Sequence, residues 1–241
     1  MITTELRLGV IDSTMDAARA AACGQDFLLV TAEGQTRGKG TRGRAWTSPA
    51  GNVYMTVGIH RRRVAQERLA LLPLELGVLL WEEAASRLDQ AGKSLLGLKW
   101  PNDLLLGGRK AGGMLIEGHG EALLCGIGVN VAQAPEVADG GAPSACLAEG
   151  GMASGDAGPF AEGLYRRIVG SFVQAESDPE AVLLAWQSKV DWDLPHRLRD
   201  RPGMPWVKPV SVNRQGHLLV RHVEEGGALG ASEWLVSDYL A

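Results

Sequence analysis

The sequence predicts an α+β fold: a mixed, largely antiparallel sheet with flanking helices, followed by a small C-terminal β module. Three observations predict it. Between Leu95 and Val131, β-like runs succeed one another through short turns, with no room for crossover helices. Helical patterns lie elsewhere, at Gln66 to Gln90 and from Phe160 to Trp186. From about Asp191 the chain becomes short β-like pieces separated by Gly and Asn turns. The expected units are residues 1–190 and 191–241.

The elements follow in order. Leu6 to Ile11 reads as a short strand or its lead-in. Asp12-Ser13-Thr14 then precedes an Ala-rich run, because Asp, Ser and Thr cap helices and Ala favours them; Gly24 can end this helix. Phe27 to Ala32 and Asn52 to Ile59 are strands. Gln66 to Gln90 places Leu69, Leu72, Leu76, Leu79, Leu80 and Ala84 near helical spacing; Pro73 sits in the first turn or kinks it, and Gly92 ends it. Leu95 to Trp100 and Leu104 to Leu106 are strands, and Gly107-Gly108 is a two-residue hairpin signal. Met114 to Glu117 and Ala122 to Val131 continue the meander around His119-Gly120. Gln133 to Gly158 is Gly-, Ala- and Pro-rich loop. Phe160, Leu164, Ile168 and Phe172 define a helical stripe. Asp178-Pro179 opens a helix through Trp186 with Pro at its first position. Trp206 to Val212, His217 to Val223 and Glu233 to Val236 are the strands of the C-terminal module.

The chain has 241 residues, 45% of them hydrophobic and 22% charged, which suits a soluble globular protein. A chain this long buries roughly 70–75% of its extended surface, so a core needs no metal or disulfide. Cys23, Cys125 and Cys146 are odd in number and lack metal-type spacing, as reduced thiols of a cytoplasmic protein would be. There is no signal pattern and no apolar run near 18 residues, so no membrane partner is expected. The net charge of −4 argues against nucleic acid.

Against that acidic balance, Gly34 to Trp46 holds four glycines and four cations in thirteen residues, with Glu33 its only acidic neighbour in sequence. Glycines let main-chain N–H groups approach a ligand, and Lys/Arg beside them suit phosphate or carboxylate. The loop is expected to be mobile until an anion orders it; a solvated basic surface loop fits its composition equally. Ser13 and Thr14 stand at a helix N-terminus, as caps or as outward-facing donors. Lys99-Trp100-Pro101-Asn102-Asp103 ends seven residues before Lys110. If Gly107-Gly108 is a tight turn, Asp103 and Lys110 meet across the hairpin. That pairs a carboxylate suited to Mg²⁺ or a developing ammonium with a fixed cation. The glycines of Gly126-Ile127-Gly128-Val129-Asn130 are further places for a ligand to lie close to a sheet. Asn130 offers a donor and an acceptor for an adenine edge, or ends a strand as a turn residue.

Taken together, Asp12-Ser13-Thr14, Gln35-Thr36 with the loop to Trp46, Lys99 to Asp103, Arg109-Lys110-Ala111-Gly112-Gly113-Met114-Leu115-Ile116-Glu117 and Gly126 to Asn130 resemble, in order, the motifs of the biotin–protein ligases. The resemblance spans roughly residues 8 to 131. It implies a class II synthetase-like (biotin/lipoate ligase) catalytic domain and a C-terminal SH3-like β-barrel. It also implies a two-step reaction: biotin and ATP with Mg²⁺ give biotinyl-5′-AMP and pyrophosphate, and a lysine of a biotin carboxyl carrier protein then displaces AMP.

Carried over by position, the resemblance implies that Ser13, Thr14 and Gln35 hydrogen-bond the ureido ring. Gly113, Leu115 and Gly126 line the biotin slot, and Gly38, Lys39, Gly40 and Thr41 close over the ligand. Lys39, Arg42 and Arg44 face the adenylate, Trp46 packs on adenine and Asn130 hydrogen-bonds it. Asn102 and Asp103 serve phosphates, Mg²⁺ or the incoming lysine. Lys110 bridges the biotin carboxylate and α-phosphate and, with Asp103, is the catalytic expectation. No further metal ligand is identified.

The loop departs from the family's usual Gly-Arg-Gly-Arg-x-Gly-Arg at Lys39 and Thr41, which predicts looser retention of the adenylate. The chain starts only about ten residues before Asp12, so a ligase without an operator-binding helix-turn-helix is expected. A homodimer is compatible, but no patch identifies its surface. The competing readings are a lipoate–protein ligase and a non-catalytic nucleotide-binding module.

Overall fold

The computed structural model describes residues 1–136, 143–174, 178–197, 206–224 and 228–236. Its main sheet is built from β1 (Thr3–Ile11), β2 (Phe27–Gln35), β3 (Val53–His60), β4 (Leu96–Lys99), β5 (Asp103–Leu106), β6 (Arg109–His119) and β7 (Ala122–Val129). The spatial order is β1-β2-β3-β7-β6-β5-β4. β4 to β7 are the expected antiparallel meander. β2 and β7 flank β3 antiparallel. β1 pairs parallel to β2 through the helix α1 (Thr14–Ala21), which makes the sheet mixed.

Side chains alternate across these strands, and the two faces have different covers. Phe27, Leu29, Val57, Ile59, Cys125 and Ile127 join the main core. The helices α2 (Leu72–Arg87), α4 (Ala157–Gln174) and α5 (Pro179–Gln187), with the short α3 (Gln90–Leu95), lie on that side and supply Leu74, Leu76, Leu80, Phe160, Leu164, Ile168 and Trp186. The alternate residues Leu28, Val30 and Leu124 face the opposite way and meet Met15 and Ala18 of α1. This smaller cover leaves the rest of that face to the glycine-rich strands and loop.

The hairpin at Gly107-Gly108 forms as expected, with φ of 56° and 72°, the left-handed values that a two-residue turn between β5 and β6 needs. Asp178 caps α5 by accepting from the N–H groups of Glu180 and Ala181. The C-terminal strands β8 (His196–Arg197), β9 (Trp206–Val212), β10 (Leu218–Val223) and β11 (Leu229–Val236) form an antiparallel four-stranded sheet in the order β11-β10-β9-β8. Trp100 Nε1 donates to Gly216 O at 2.9 Å, tying this small sheet to the turn after β4.

Several boundaries differ from the sequence expectation. β1 begins at Thr3 and β2 runs to Gln35, because each extends its ladder along the other. The single helix expected over Gln66 to Gln90 is a 3-10 turn (Gln66–Leu71), then α2 with Pro73 in its first turn, then α3. Gly92 does not end a helix: it lies inside α3, where a methyl would sit 2.1 Å from Gly150 O. Close backbone packing, not a left-handed cap, is why glycine stands there. α1 ends at Ala21 with an extended Ala22, before Gly24. The expected strand from Met114 starts at Arg109 instead. Within the loop expected over 133–158, residues 137–142 lie outside the described set, and Leu147–Gly150 forms a 3-10 turn. No helix among the described residues is long and apolar enough to cross a membrane.

Candidate functional site

The site is laid out by strand register on the α1 face. Gly126 of β7 lies between Thr56 of β3 and Leu115 of β6. Two residues on, Gly128 lies between Tyr54 and Gly113, and Gly113 in turn faces Asp103 of β5. A methyl at Gly126 would sit 2.8 Å from Met15 Sδ, and one at Gly128 would sit 2.5 Å from the Trp46 ring. Glycine lets the α1 methionine and the loop tryptophan rest directly on the sheet.

Lys110 reaches this face only through a β-bulge. Leu104 pairs with Gly112 and Leu105 with Lys110, so Ala111 is extra. In a regular strand, residues three apart point to opposite faces. The bulge restores Lys110 to the side of Gly113 and Asp103 and sends Ala111 into the main core. Lys110 Nζ donates to Asp103 Oδ1 at 2.6 Å, as the hairpin reading expected. It stands 5.4 Å from the centre of the Trp46 ring, and a methyl at Gly113 would be 3.1 Å from it.

At the other end of the track the groups are polar and uncharged. Thr14 donates from both its N–H and its Oγ1 to Gln35 Oε1, at 2.9 and 3.2 Å. Thr56 Oγ1 donates to Thr14 Oγ1 at 2.9 Å, and Gln35 Nε2 donates to Ser48 Oγ at 3.2 Å. Ser48 Oγ passes the chain on to Trp46 O at 3.0 Å. Ser13 occupies the N-cap position of α1 without making a side-chain cap. It is 2% exposed, and among the described residues its Oγ has no partner. A buried hydroxyl without a partner is costly and marks a place where a ligand's polar group would be satisfied.

The basic loop has acidic company after all. Arg37 pairs with Asp12, and Lys39 Nζ donates to Asp16 Oδ1 at 2.6 Å. Asp16 also accepts from Arg19 at 2.8 Å. Hydrogen bonds from Arg37 and then Thr36 hold the Asp12 carboxyl below its usual range. Lys39 and Ala45 close a short antiparallel bridge, and Gly40 N donates to Arg44 O at 2.8 Å. Arg44 folds back onto Thr41, with NH2 3.0 Å from Thr41 Oγ1, and Arg42 takes a left-handed φ of 61°. A methyl at Gly38 would sit 2.5 Å from Trp46 O.

Two expected nucleotide contacts are otherwise engaged. Asn102 Nδ2 donates to Met114 O, fixing the turn to β6. Asn130, 2% exposed, donates from Nδ2 to Ala145 O at 3.0 Å and to Lys110 O at 3.5 Å. Its Oδ1 has no partner among the described residues and is the atom left to accept from a ligand. Sequence reasoning missed Thr56, Met15, Asp16 and Asn52. A lone aliphatic hydroxyl inside the run Val53 to Ile59 was the readable signal for Thr56. Asn52 Oδ1 accepts from the N–H groups of Val131, Ala132 and Gln133 at 2.9, 3.0 and 3.1 Å, fixing the chain just after Asn130. Among the described residues, no group of three His, Cys, Asp or Glu is placed to hold a metal.

A model of the biotin/lipoate A/B protein ligase family matches residues 10–133, just over half the chain and the whole of this site. The chain belongs to that family. It is 32% identical over 167 residues to a biotin–[acetyl-CoA-carboxylase] ligase of Mycobacterium tuberculosis, covering 69% of this chain and 62% of that protein. It is 38% identical over 112 residues to the ligase of the same name from Paracoccus denitrificans, covering 44% and 45%. The match thus spans about half to three-fifths of these relatives. Among solved structures, biotin protein ligase of Leishmania major in complex with biotinyl-5-AMP is similar with a TM-score of 0.71 and 31% identity, over 94% of this chain and 97% of that one. The fold is also that of biotin protein ligase from Aquifex aeolicus, with a TM-score of 0.69 and 22% identity over 96% and 98%.

Proposed function

We propose that this family member is an ATP-dependent biotin–protein ligase that forms biotinyl-5′-AMP and passes the biotinyl group to a lysine of a biotin carboxyl carrier protein. One observation carries the reading. The bulge at Ala111 brings Lys110 to the same face as a glycine track whose far end is the neutral Thr14–Gln35–Thr56 cluster. A ligand with an uncharged polar head and a carboxylate tail fits that gradient.

In the first step a carboxylate oxygen of biotin attacks the α-phosphorus of ATP and pyrophosphate leaves. Two anions must meet, and Lys110 between them would lower their repulsion and stabilise the charge gathering on the phosphate. Ser13, Thr14 and Gln35 would hold the ureido ring; Gly113, Leu115 and Gly126 would floor the slot. Trp46 and the acceptor of Asn130 would meet adenine. In the second step the carrier amine attacks the acyl carbon, an amide forms, AMP departs, and the amine proton is lost, with Asp103 beside Lys110 as a carboxylate that could take it.

Mg²⁺ would arrive with ATP, held chiefly by the phosphates with Asp103 as the protein carboxylate at hand. This is how Mg²⁺ is usually bound. On closing, Arg37 would exchange Asp12, and Lys39 would exchange Asp16, for the ligand's anions. We place the catalytic unit at 1–190 and the SH3-like unit at 191–241, in a cytoplasmic protein, with a homodimer compatible.

The test is intact-mass analysis of a biotin carboxyl carrier domain after incubation with the protein, Mg-ATP and either biotin or lipoate. A single biotinyl addition is expected. A lipoyl addition alone would move the assignment to the lipoate branch of the family.

A further inference from the structure

Lys110 is held by more than its own strand. β7 pairs with β6 only as far as Gly112, so the residues before it need another partner on that side. Residues 143–145 supply it: Lys110 N donates to Pro143 O at 2.8 Å, and Ala145 N donates to Lys110 O at 2.9 Å. Both main-chain groups of Lys110 therefore bond to this segment, with Lys110 O accepting also from Asn130 Nδ2 at 3.5 Å.

Besides Asn130, whose Nδ2 donates to Ala145 O at 3.0 Å, the residue next to Lys110 fastens the segment. Arg109 NH1 donates to Ser144 O at 3.3 Å, and its NH2 pairs with Glu149. The other oxygen of Glu149 accepts from Cys146 N at 3.0 Å. Arg109 and then the Cys146 N–H hold the Glu149 carboxyl below its usual range. Successive strand residues point to opposite faces, and Arg109 faces the side of Leu106, which joins the main core. Its guanidinium thus acts from the side away from Asp103, Gly113 and Trp46.

Building on the ligase reading, we propose that Arg109 and Glu149 are positioning residues for Lys110: their ion pair clamps residues 143–146 against the bulge and so fixes the ammonium in the slot. Both side chains are about two-fifths exposed, 44% and 38%. Such a pair contributes little to global stability, so its loss is expected to leave the fold intact.

The experiment compares wild type, Arg109→Gln, Arg109→Lys and Glu149→Gln in two readouts. The first is amide hydrogen exchange of peptides covering 108–112 and 143–147. Faster exchange in both peptides, confined to them, is expected in Arg109→Gln and Glu149→Gln, with partial rescue in Arg109→Lys. Unchanged exchange overturns the clamp whether or not the protein is a ligase.

The second readout is biotin-dependent pyrophosphate release. A misplaced catalytic group costs on the order of 10-fold or more in kcat, and KM for biotin should stay within about twofold because the ureido end is untouched. In a Lys110→Ala background, Arg109→Gln should cost nothing further, since it acts through Lys110. An undiminished kcat, or an equal loss in the Lys110→Ala background, overturns the positioning role. Absence of release in wild type sinks the ligase reading and this role with it, while exchange still reports on the clamp.

Discussion

The two close-packed glycines of β7 make opposite predictions about substrate. A methyl at Gly128 would lie 2.5 Å from Trp46 Cε2 and 2.6 Å from Nε1. Carbon atoms sit comfortably at about 3.5–4.0 Å, so the indole must withdraw by about 1 Å. Its backbone is held, since Trp46 N donates to Gly38 O at 2.9 Å and Trp46 O accepts from Ser48, so the withdrawal must come from the side-chain torsions. Returning the indole against the new methyl when adenine binds costs what overpacking costs, about 1–3 kcal/mol, which corresponds to about 5- to 150-fold in affinity. Gly128→Ala should therefore raise KM for ATP by that range and leave KM for biotin near wild type.

At Gly126 the first atoms met are Met15 Sδ at 2.8 Å and Cγ at 3.0 Å. Met adapts, so folding should suffer by less than about 1.5 kcal/mol. The methyl would nonetheless stand in the row between Thr56 and Leu115, and KM for biotin should rise selectively. The assay is pyrophosphate release with each substrate varied at saturation of the other, with calorimetry to confirm folding. Biotin KM shifting in Gly128→Ala, or ATP KM shifting in Gly126→Ala, would refute the assignment of the two ends.

Asn52→Ala removes acceptance from three N–H groups and donation to Gln133 O at 2.9 Å at a site 5% exposed. A loss of about 2–4 kcal/mol is expected in urea unfolding. Asp26 accepts from Arg63, from Ile2 N and from Arg62, which together depress its carboxyl well below the usual 3.8. Its contribution to stability is therefore present above the unfolded value and is lost as pH falls from about 4 toward the folded one. Asp26→Asn should flatten that acid limb in pH-dependent melts. Burial pushes the Cys125 thiol up to about 12 and also raises Cys146, whereas Cys23 is exposed. One fast-labelling thiol per chain is expected at pH 8, and three after denaturation.

Where local chemistry decides structure, the sequence could be read directly. The stripe Phe160, Leu164, Ile168 and Phe172 is buried, and the Gly107-Gly108 turn does bring Asp103 to Lys110. Pro179 opens α5 because Asp178 caps it. What escaped depends on pairing. The bulge at Ala111 is a property of the β5–β6 register, so nothing in the spacing of Lys110 and Gly113 announces that both share a face. Asp12 and Asp16 lie more than twenty residues before the cations they pair with, so the loop looked free of acids. Gly92 reads as a helix stop in one dimension and is a packing contact in three. Asn130 was legible as a polar strand end, but not the division of its amide between a protein carbonyl and an unpartnered oxygen.

The role of Lys110 is tested most directly by pyrophosphate release from Mg-ATP in the presence of biotin, comparing wild type with Lys110→Ala. Biotin-dependent release is expected in wild type, with a collapse by about 100-fold or more in the variant, the scale of losing a preorganised electrostatic contact to the transition state. Release by Lys110→Ala at the wild-type rate would contradict it.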